Sequence, residues 1–157
     1  MLEWMHDQDL VENLQANFQS CTLTDCENFI RRSWEDANNL HMAAVNDENI
    51  YMGTVSLKNI DRDFKCAEFA IAFRRCALGT GISGFAMKEI LRYGLEMLDL
   101  EQIYWYVSSK NARAVRFYDK CGYPRLMPEA LHLPANSSIF EIPNVLFYAV
   151  TKAQFKE

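Results

Sequence analysis

The chain has 157 residues and a formal net charge of −5, and half of its residues are hydrophobic. This length and composition predict one soluble globular domain, residues 1–157, with a sizeable core. General nucleic-acid binders are usually basic, so the acidic balance argues against that class. No apolar run approaches the roughly 18 residues that a membrane helix needs. We therefore expect neither a nucleic acid nor a membrane among its partners.

The cysteines give no sign of a metal centre. They lie at positions 21, 26, 66, 76 and 121 and form no C-x-x-C pair. Their odd number and the lack of a signal peptide favour reduced thiols and a cytoplasmic protein. The three histidines are scattered along the chain. We expect no bound metal.

Two helices are predicted in the first part of the chain. Residues 8–19 have a helical pattern. Thr24 with Glu27 forms a capping-box pattern, which predicts a second helix over about residues 25–35. The inward face of this second helix is predicted to include Phe29, Ile30 and Trp34.

Strands are predicted next. Leu40–Val45 and residues 50–57 flank a polar turn, which indicates a hairpin. In the following strand, Cys66–Phe73, alternate residues share a face. Glu68, Ala70 and Ala72 lie on one face, opposite the larger apolar side chains. Together these strands predict an antiparallel sheet.

The second half alternates helix and strand. One helix is predicted from the helical spacing of Ile82, Phe85, Ala86, Ile90 and Tyr93. Residues 103–107 are aromatic and β-branched and predict a strand. Asn111 can cap a helix through Lys120, with Gly122 as its left-handed terminator. Residues 144–151 predict a last strand, so the fold class is α/β with a mixed sheet.

The turn Ala77-Leu78-Gly79-Thr80-Gly81 brings two glycines to a helix start. Such a turn exposes unpaired backbone N–H groups and a partial positive charge, which suits a phosphate or pyrophosphate. Glycine lets the backbone approach the ligand and tolerates positive φ. We do not expect the dinucleotide fingerprint, which needs a third glycine and an acidic residue about 20 positions on, and no Gly-Lys-Ser or Gly-Lys-Thr follows, so this is not a Walker loop either. The glycine spacing alone equally allows a plain helix-starting turn.

Together, the glycine turn and the downstream helix make the chain resemble the GNAT superfamily of acetyl-CoA-dependent N-acetyltransferases. Residues 76–81 match the family's first motif except at Cys76, where the family has glutamine or arginine. The second motif is matched by Asn111, Ala114, Tyr118, Lys120, Gly122 and Tyr123. The resemblance covers roughly residues 10–150. It implies a GNAT-like fold, in which helices flank a central, mostly antiparallel sheet.

Two residues are candidates for the chemistry. Glu68 is a lone carboxylate on an otherwise apolar strand. It is either an exposed or salt-bridged glutamate, or a general base that takes a proton from an attacking amine; many GNAT relatives place a glutamate there. Tyr118 is either a core tyrosine or, as the resemblance implies, the acid that protonates the departing coenzyme A thiolate.

The resemblance also implies which residues bind acetyl-CoA. The strand after Glu68 would hold the pantetheine arm through its backbone, the glycine turn would hold the pyrophosphate, and the next helix start would contact the arm. The predicted cofactor-binding residues are Phe69, Ile71, Ala72, Phe73, Leu78, Gly79, Thr80, Gly81, Ile82, Asn111 and Ala114. Arg74 and Arg75 could reach phosphates, although paired arginines at a strand end are usually solvated.

One departure from the family concerns the start of the chain. The family usually opens with a strand before its first helix, and here that strand is either absent or upstream of Met1. An exposed sheet edge needs cover, so a homodimer is expected to supply it.

The acceptor amine remains open. Protein N-termini, polyamines and amino sugars all fit the pattern. The substitution at Cys76 also leaves two other interpretations, a non-catalytic acetyl-CoA sensor and an interaction module on the same fold.

Overall fold

The computed structural model of the chain describes residues 1–12, 14, 17–133 and 137–155. Within these ranges the helices are α1 (Leu2–Met5), α2 (Gln8–Val11), α3 (Leu23–Ser33), α4 (Ile82–Arg92) and α5 (Ala112–Lys120). The strands are β1 (Leu40–Val45), β2 (Tyr51–Asp61), β3 (Cys66–Phe73), β4 (Gln102–Ser108), β5 (Arg125–Leu126) and β6 (Val145–Thr151). Short 3₁₀ turns and one π-helical turn, Tyr93–Met97, connect some of them.

The six strands form one mixed sheet in the order β1-β2-β3-β4-β6-β5. Every neighbouring pair is antiparallel except β3 and β4, which are parallel. This confirms the predicted mixed sheet, the β1–β2 hairpin and the bounds of β1 and β3. In the described residues, three helices precede the first strand.

The parallel strands β3 and β4 stay paired over a short distance only. Their register runs from Cys66↔Gln102 to Glu68↔Tyr104 and then ends. Beyond that point β3 still pairs with β2 as far as Phe73, and β4 still pairs with β6 as far as Ser108. A wedge-shaped gap therefore opens between β3 and β4 and widens toward their carboxyl ends.

The two faces of the sheet are covered differently. On one face, α4 buries Ala86, Met87, Ile90 and Leu91 against alternate residues of the central strands, which forms the main core. On the other face are two smaller apolar clusters. One contains Trp4, Met5, Leu10, Val11 and Cys26, and the other joins Leu131 and Ile139 to Tyr104 and Phe147.

Helix bounds in the first part of the chain differ from the prediction. The helix expected over residues 8–19 ends at Val11, while residues 13, 15 and 16 of that prediction lie outside the described residues. The capping box of α3 uses Thr22 and Asp25 instead of Thr24 and Glu27. The Thr22 hydroxyl accepts a hydrogen bond from the Asp25 N–H at 3.2 Å, and the Asp25 carboxylate accepts one from the Thr22 N–H at 2.8 Å.

The predicted inward face of α3 is also wrong. Phe29 and Ile30 are exposed, and Trp34 is 82% exposed. The helix packs instead through Cys26, which is buried in the cluster formed by the N-terminal helices. Phe85 of α4, likewise predicted to share an apolar face, is exposed because the helix turns Ala86 and Met87 toward the sheet.

Candidate active site

The gap between β3 and β4 has a helix start on each side of its mouth. The chain leaves β3 at Phe73 and begins α4 at Ile82, and it leaves β4 at Ser108 and begins α5 at Ala112. Because β3 and β4 are parallel, both helix starts lie at the wide end of the gap. The mouth therefore carries two sets of N-terminal N–H groups.

At the start of α4, the glycine turn exposes its backbone. Gly79 and Gly81 have φ values of 78° and 91°, the left-handed region that glycine tolerates. A Cβ added to either glycine would meet no heavy atom within 4 Å. The Gly81 carbonyl accepts the Phe85 N–H at 3.1 Å, so the N–H groups of Ser83 and Gly84, just before Phe85, precede the helical ladder. This open surface fits a phosphate group.

Gly84 is a residue that the sequence interpretation missed. It is a third glycine in the spacing G-x-G-x-x-G that starts at Gly79. A Cβ added to Gly84 would also meet nothing within 4 Å. The signal was readable in the sequence, since the third glycine of that spacing lies in the first helical turn.

The two arginines after β3 are paired with the N-terminal helices. Arg75 contacts the carboxylates of Asp7 and Asp9, and the hydrogen bond from Arg75 is the largest cause that holds the pKa of Asp7 below its usual value. Arg74 contacts Glu3 at 2.7 Å and donates to the Tyr51 carbonyl at 3.1 Å. In this conformation both guanidinium groups, of Arg74 and Arg75, form ion pairs with carboxylates and are not free to bind a phosphate.

The N-terminal segment also reaches the far side of the mouth. Arg113, in the first turn of α5, donates to the Asp9 carbonyl at 3.3 Å. The segment around Asp9 therefore contacts both the β3 side, through Arg75, and the β4 side, through Arg113.

Glu68 lies at the closed end of the gap and is 7% exposed. Lys58, its partner in the β2–β3 register, places Nζ 2.6 Å from Oε1 of Glu68. The Asn59 side chain donates to Oε2 at 3.1 Å. The salt-bridged alternative is therefore present in the structure, and it explains how a buried carboxylate is tolerated on this strand.

The charge of Glu68 acts on the pKa of two tyrosines of β4, Tyr104 and Tyr106. Burial is the main cause that raises the pKa of Tyr104 and Tyr106, and the Glu68 carboxylate raises both further. Tyr104 is the register partner of Glu68 across the start of the gap. Sequence reasoning could not have found this pair, because it depends on the β3–β4 register.

Tyr118 lies on the α4 side of the sheet, in the main core, whereas Glu68 lies on the other face. It is 6% exposed, and its ring contacts Trp105, Tyr148 and Phe117 at centroid distances of 5.4, 5.2 and 5.2 Å. Its hydroxyl makes no hydrogen bond to any described residue. Burial raises the pKa of Tyr118, so the phenol keeps its proton at neutral pH.

Asn111 caps α5 as predicted. Its side-chain oxygen accepts a hydrogen bond from the Ala114 N–H at 3.1 Å, and the residue is buried.

On the opposite side of the gap, Phe69 and Phe73 bury their side chains in the core. From Phe69 onward, the edge of β3 that faces β4 has no strand partner, so its backbone could hydrogen-bond an extended, amide-containing ligand.

Other site types lack support in the described ranges. No group of three or more His, Cys, Asp or Glu side chains there is arranged to hold a metal ion. No helix in the same ranges has the length and apolar character to cross a membrane. All five cysteines are unpaired.

A family model described as "Acetyltransferase (GNAT) domain" matches residues 1–124. The spermidine N(1)-acetyltransferase of Vibrio cholerae is 32% identical over 72 residues. That alignment covers 46% of this chain and 42% of the length of the curated relative.

Solved structures of a Vibrio cholerae spermidine N-acetyltransferase share the fold. The form in complex with CoA and spermine has a TM-score of 0.77 at 18% identity. The alignment covers 99% of this chain and 90% of the Vibrio cholerae chain. A dodecameric form in an intermediate state has a TM-score of 0.71 at 19% identity, with coverages of 99% and 91%. At these identities the likeness concerns the fold alone.

Proposed function

This chain belongs to the GNAT acetyltransferase family, and from that membership we propose that it moves an acetyl group from acetyl-CoA to a primary amine of a polyamine. One observation carries the proposal: the β3–β4 gap has open N–H groups at its mouth and a buried carboxylate at its closed end. The choice of a polyamine draws on the relatives, one named for spermidine and one holding CoA and spermine.

The proposed cofactor position follows the gap. The phosphates would lie on the N–H groups between Gly79 and Gly84, and the pantetheine arm would lie along the free edge of β3 from Phe69 to Phe73. Asn111 and Ala114 would border the arm from the start of α5. The open space above the glycines supports this position, because a bulky ligand can reach the backbone there.

In the proposed chemistry, Glu68 takes a proton from the acceptor. An alkyl amine with a pKa of about 10.4 is almost wholly protonated at neutral pH and cannot attack until that proton leaves. Glu68 lies on the face of the sheet opposite Tyr118, and the gap separates the two. An amine could therefore approach the bound thioester from the Glu68 face while the thiolate departs toward the Tyr118 face.

Tyr118 would then give its proton to the departing thiolate. Burial supports this role in one respect, since a raised pKa keeps the phenol protonated and ready to donate. Its hydroxyl bonds no described residue, which leaves it available to a ligand.

The test is an amine panel with acetyl-CoA as donor and free thiol as the readout. We expect thiol release with spermidine and spermine to exceed that with glucosamine or with a peptide bearing a free N-terminus. Acetyl-CoA without amine supplies the background. A preference for the peptide or the sugar would contradict the polyamine assignment. Coenzyme A binding without amine-dependent thiol release would point to a sensor, and no binding would point to an interaction module.

We also propose a cytoplasmic location and self-association for this chain. Five unpaired cysteines agree with a reducing compartment, and we propose the cytoplasm. Strand β1 has a neighbour on one side only, so its outer edge could be covered by a second copy. A relative that forms a dodecamer supports self-association. Sedimentation showing a strict monomer would contradict it.

A further inference from the structure

The chain carries an amine of its own at the residue proposed as the base. We propose that the protein acetylates Lys58 on Nζ when acetyl-CoA is bound and no polyamine is present. This inference rests on the proposed function, because it uses the same donor and the same carboxylate.

The geometry meets the first requirement for an acceptor, which is contact with the base. Lys58 and Glu68 are register partners on neighbouring strands, and their side chains lie on one face of the sheet. The Lys58 ammonium lies 2.6 Å from Oε1 of Glu68, where an incoming ammonium would also bind. Asn59 holds the other carboxylate oxygen.

The second requirement is access to the gap. Glu68 is the last residue of β3 that pairs with β4, so the gap begins beside it. On the same face, the next residue of β3 is Ala70, whose side chain is a single methyl group, whereas Ala72 packs against the cluster formed by the N-terminal helices. The Lys58 side chain is 37% exposed, and its four-carbon stem can turn.

The chemistry is that proposed for the polyamine. The Lys58 ammonium gives one proton to Glu68. Its freed lone pair forms a bond to the acetyl carbonyl carbon, and the carbon–sulfur bond breaks. Coenzyme A leaves as a thiolate, which takes the Tyr118 proton. As the carbon–sulfur bond breaks, the nitrogen gives its second proton to water, and Tyr118 takes one proton back from water. Glu68 passes its proton to water as well, so the reaction yields acetyl-lysine, coenzyme A and one released proton.

The chain contains a matched control lysine. Lys65 is also ion-paired, 2.9 Å from Asp99, but Asp99 is an exposed carboxylate. Lys65 directly precedes β3, at the end of the sheet opposite the mouth of the gap. Solvent access favours Lys65, whose side chain is 46% exposed against 37% for Lys58, but the hydrogen bond to Asp99 raises the pKa of Lys65 and so lowers its neutral fraction. Base-assisted acetylation of Lys58 is therefore identified by a preference over Lys65 that saturating spermidine removes.

The experiment incubates the full chain with acetyl-CoA and no amine and measures acetyl occupancy of each lysine by peptide mass spectrometry over time. A positioned base contributes about 10²–10⁴-fold, so Lys58 should react at least about tenfold faster than Lys65. Saturating spermidine should slow the reaction at Lys58 and leave Lys65 unchanged. The comparison within the unmodified chain does not depend on any variant folding.

Two variants extend the test. Glu68→Gln should bring the Lys58 rate down to that of Lys65, and melting temperatures check that the variant folds. Lys58→Arg keeps a cation opposite Glu68, and it should remove this peptide signal without raising acetylation elsewhere. Equal rates at Lys58 and Lys65 in a protein that acetylates spermidine would overturn the inference and leave the proposed function intact. Acetylation of Lys58 that depends on Glu68, without turnover of spermidine, would support the inference and overturn the polyamine assignment of the proposed function.

Discussion

Replacing Tyr118 by phenylalanine should lower activity and leave stability nearly unchanged. The change removes one hydroxyl and keeps the ring contacts with Trp105 and Tyr148. If the hydroxyl is the general acid, kcat should fall by about 10²–10⁴-fold, which corresponds to about 2.7–5.4 kcal/mol in activation free energy. The affinity for coenzyme A should stay close to that of the parent.

Folding stability should not fall with kcat. The Tyr118 hydroxyl bonds no described residue, and among the described residues the fully buried side-chain polar atoms without a partner are Nε of Arg74 and Nε1 of Trp105, not this hydroxyl. Its removal should therefore leave the free energy of unfolding within about 0.5 kcal/mol of the parent. For a chain of this size each kcal/mol moves Tm by about 2–4 °C.

Tyr148 supplies the matched control. Its hydroxyl donates to Asp119 at 3.1 Å, so Tyr148→Phe should lose about 1–2 kcal/mol of stability. It should have little effect on kcat. Calorimetry gives the two stabilities and thiol release gives the two rates. An unchanged kcat for Tyr118→Phe, measured where chemistry limits the rate, would refute the acid role and leave Tyr118 as a core residue.

The pH profile adds a check on the same group. Because burial raises the pKa of Tyr118 above its usual value of about 10, the proton that it donates should remain in place up to that pH. No loss of kcat from Tyr118 ionisation is therefore expected below about pH 10.

Three further predictions concern the glycine turn, the packing of β2 against β3, and Glu68. Gly81→Val should weaken coenzyme A binding, because valine fills the open approach to the backbone, and it should lower Tm, because a β-branched side chain is strained at a φ of 91°. Gly84→Ala keeps its N–H and should raise stability by up to about 1 kcal/mol through helix propensity. Calorimetric titration measures the binding, and unchanged binding by Gly81→Val would mean that the phosphates bind elsewhere. Gly53→Ala should lower the free energy of unfolding by about 1–3 kcal/mol, because the added Cβ would lie 2.5 Å from Cγ of Phe73 and 2.6 Å from the backbone oxygen of Ala72. A Tm equal to that of the parent would contradict this packing. Glu68→Gln should lower turnover most near neutral pH, and turnover should recover partly at higher pH, where more of the amine is neutral. A lowered Tm together with a pH–rate profile of unchanged shape would mean that Glu68 has a structural role.

The sheet could be predicted from sequence because its patterns are local. Alternating apolar residues marked β3 with its correct bounds, and aromatic and β-branched residues marked the centre of β4. Asn111 and Gly122 bounded α5 because each acts on its own helix end. These signals need no knowledge of distant neighbours.

Two errors, the capping box of α3 and the missed Gly84, concern signals that are local in the sequence. The others share one physical reason, which is that the partner of a residue was not in its local sequence. The apolar pattern of Phe29, Ile30 and Trp34 is real, but a pattern cannot say whether the rest of the fold covers that face. The ion pair between Lys58 and Glu68 depends on strand register, and the pairing of Arg75 with Asp7 joins residues 68 positions apart. Both changed the interpretation of the candidate site.

The short β3–β4 pairing has a mechanical consequence. Strands β1, β2 and β3 form one half of the sheet and β4, β6 and β5 the other, and three register pairs join the halves directly. Such a seam should open at lower free energy than either half unfolds, so its amides should exchange hydrogen early. A ligand chain lying along β3 would act as a surrogate strand that ties the halves together. Donor binding would then do more than fill a site, since it would make the two halves unfold as one cooperative unit.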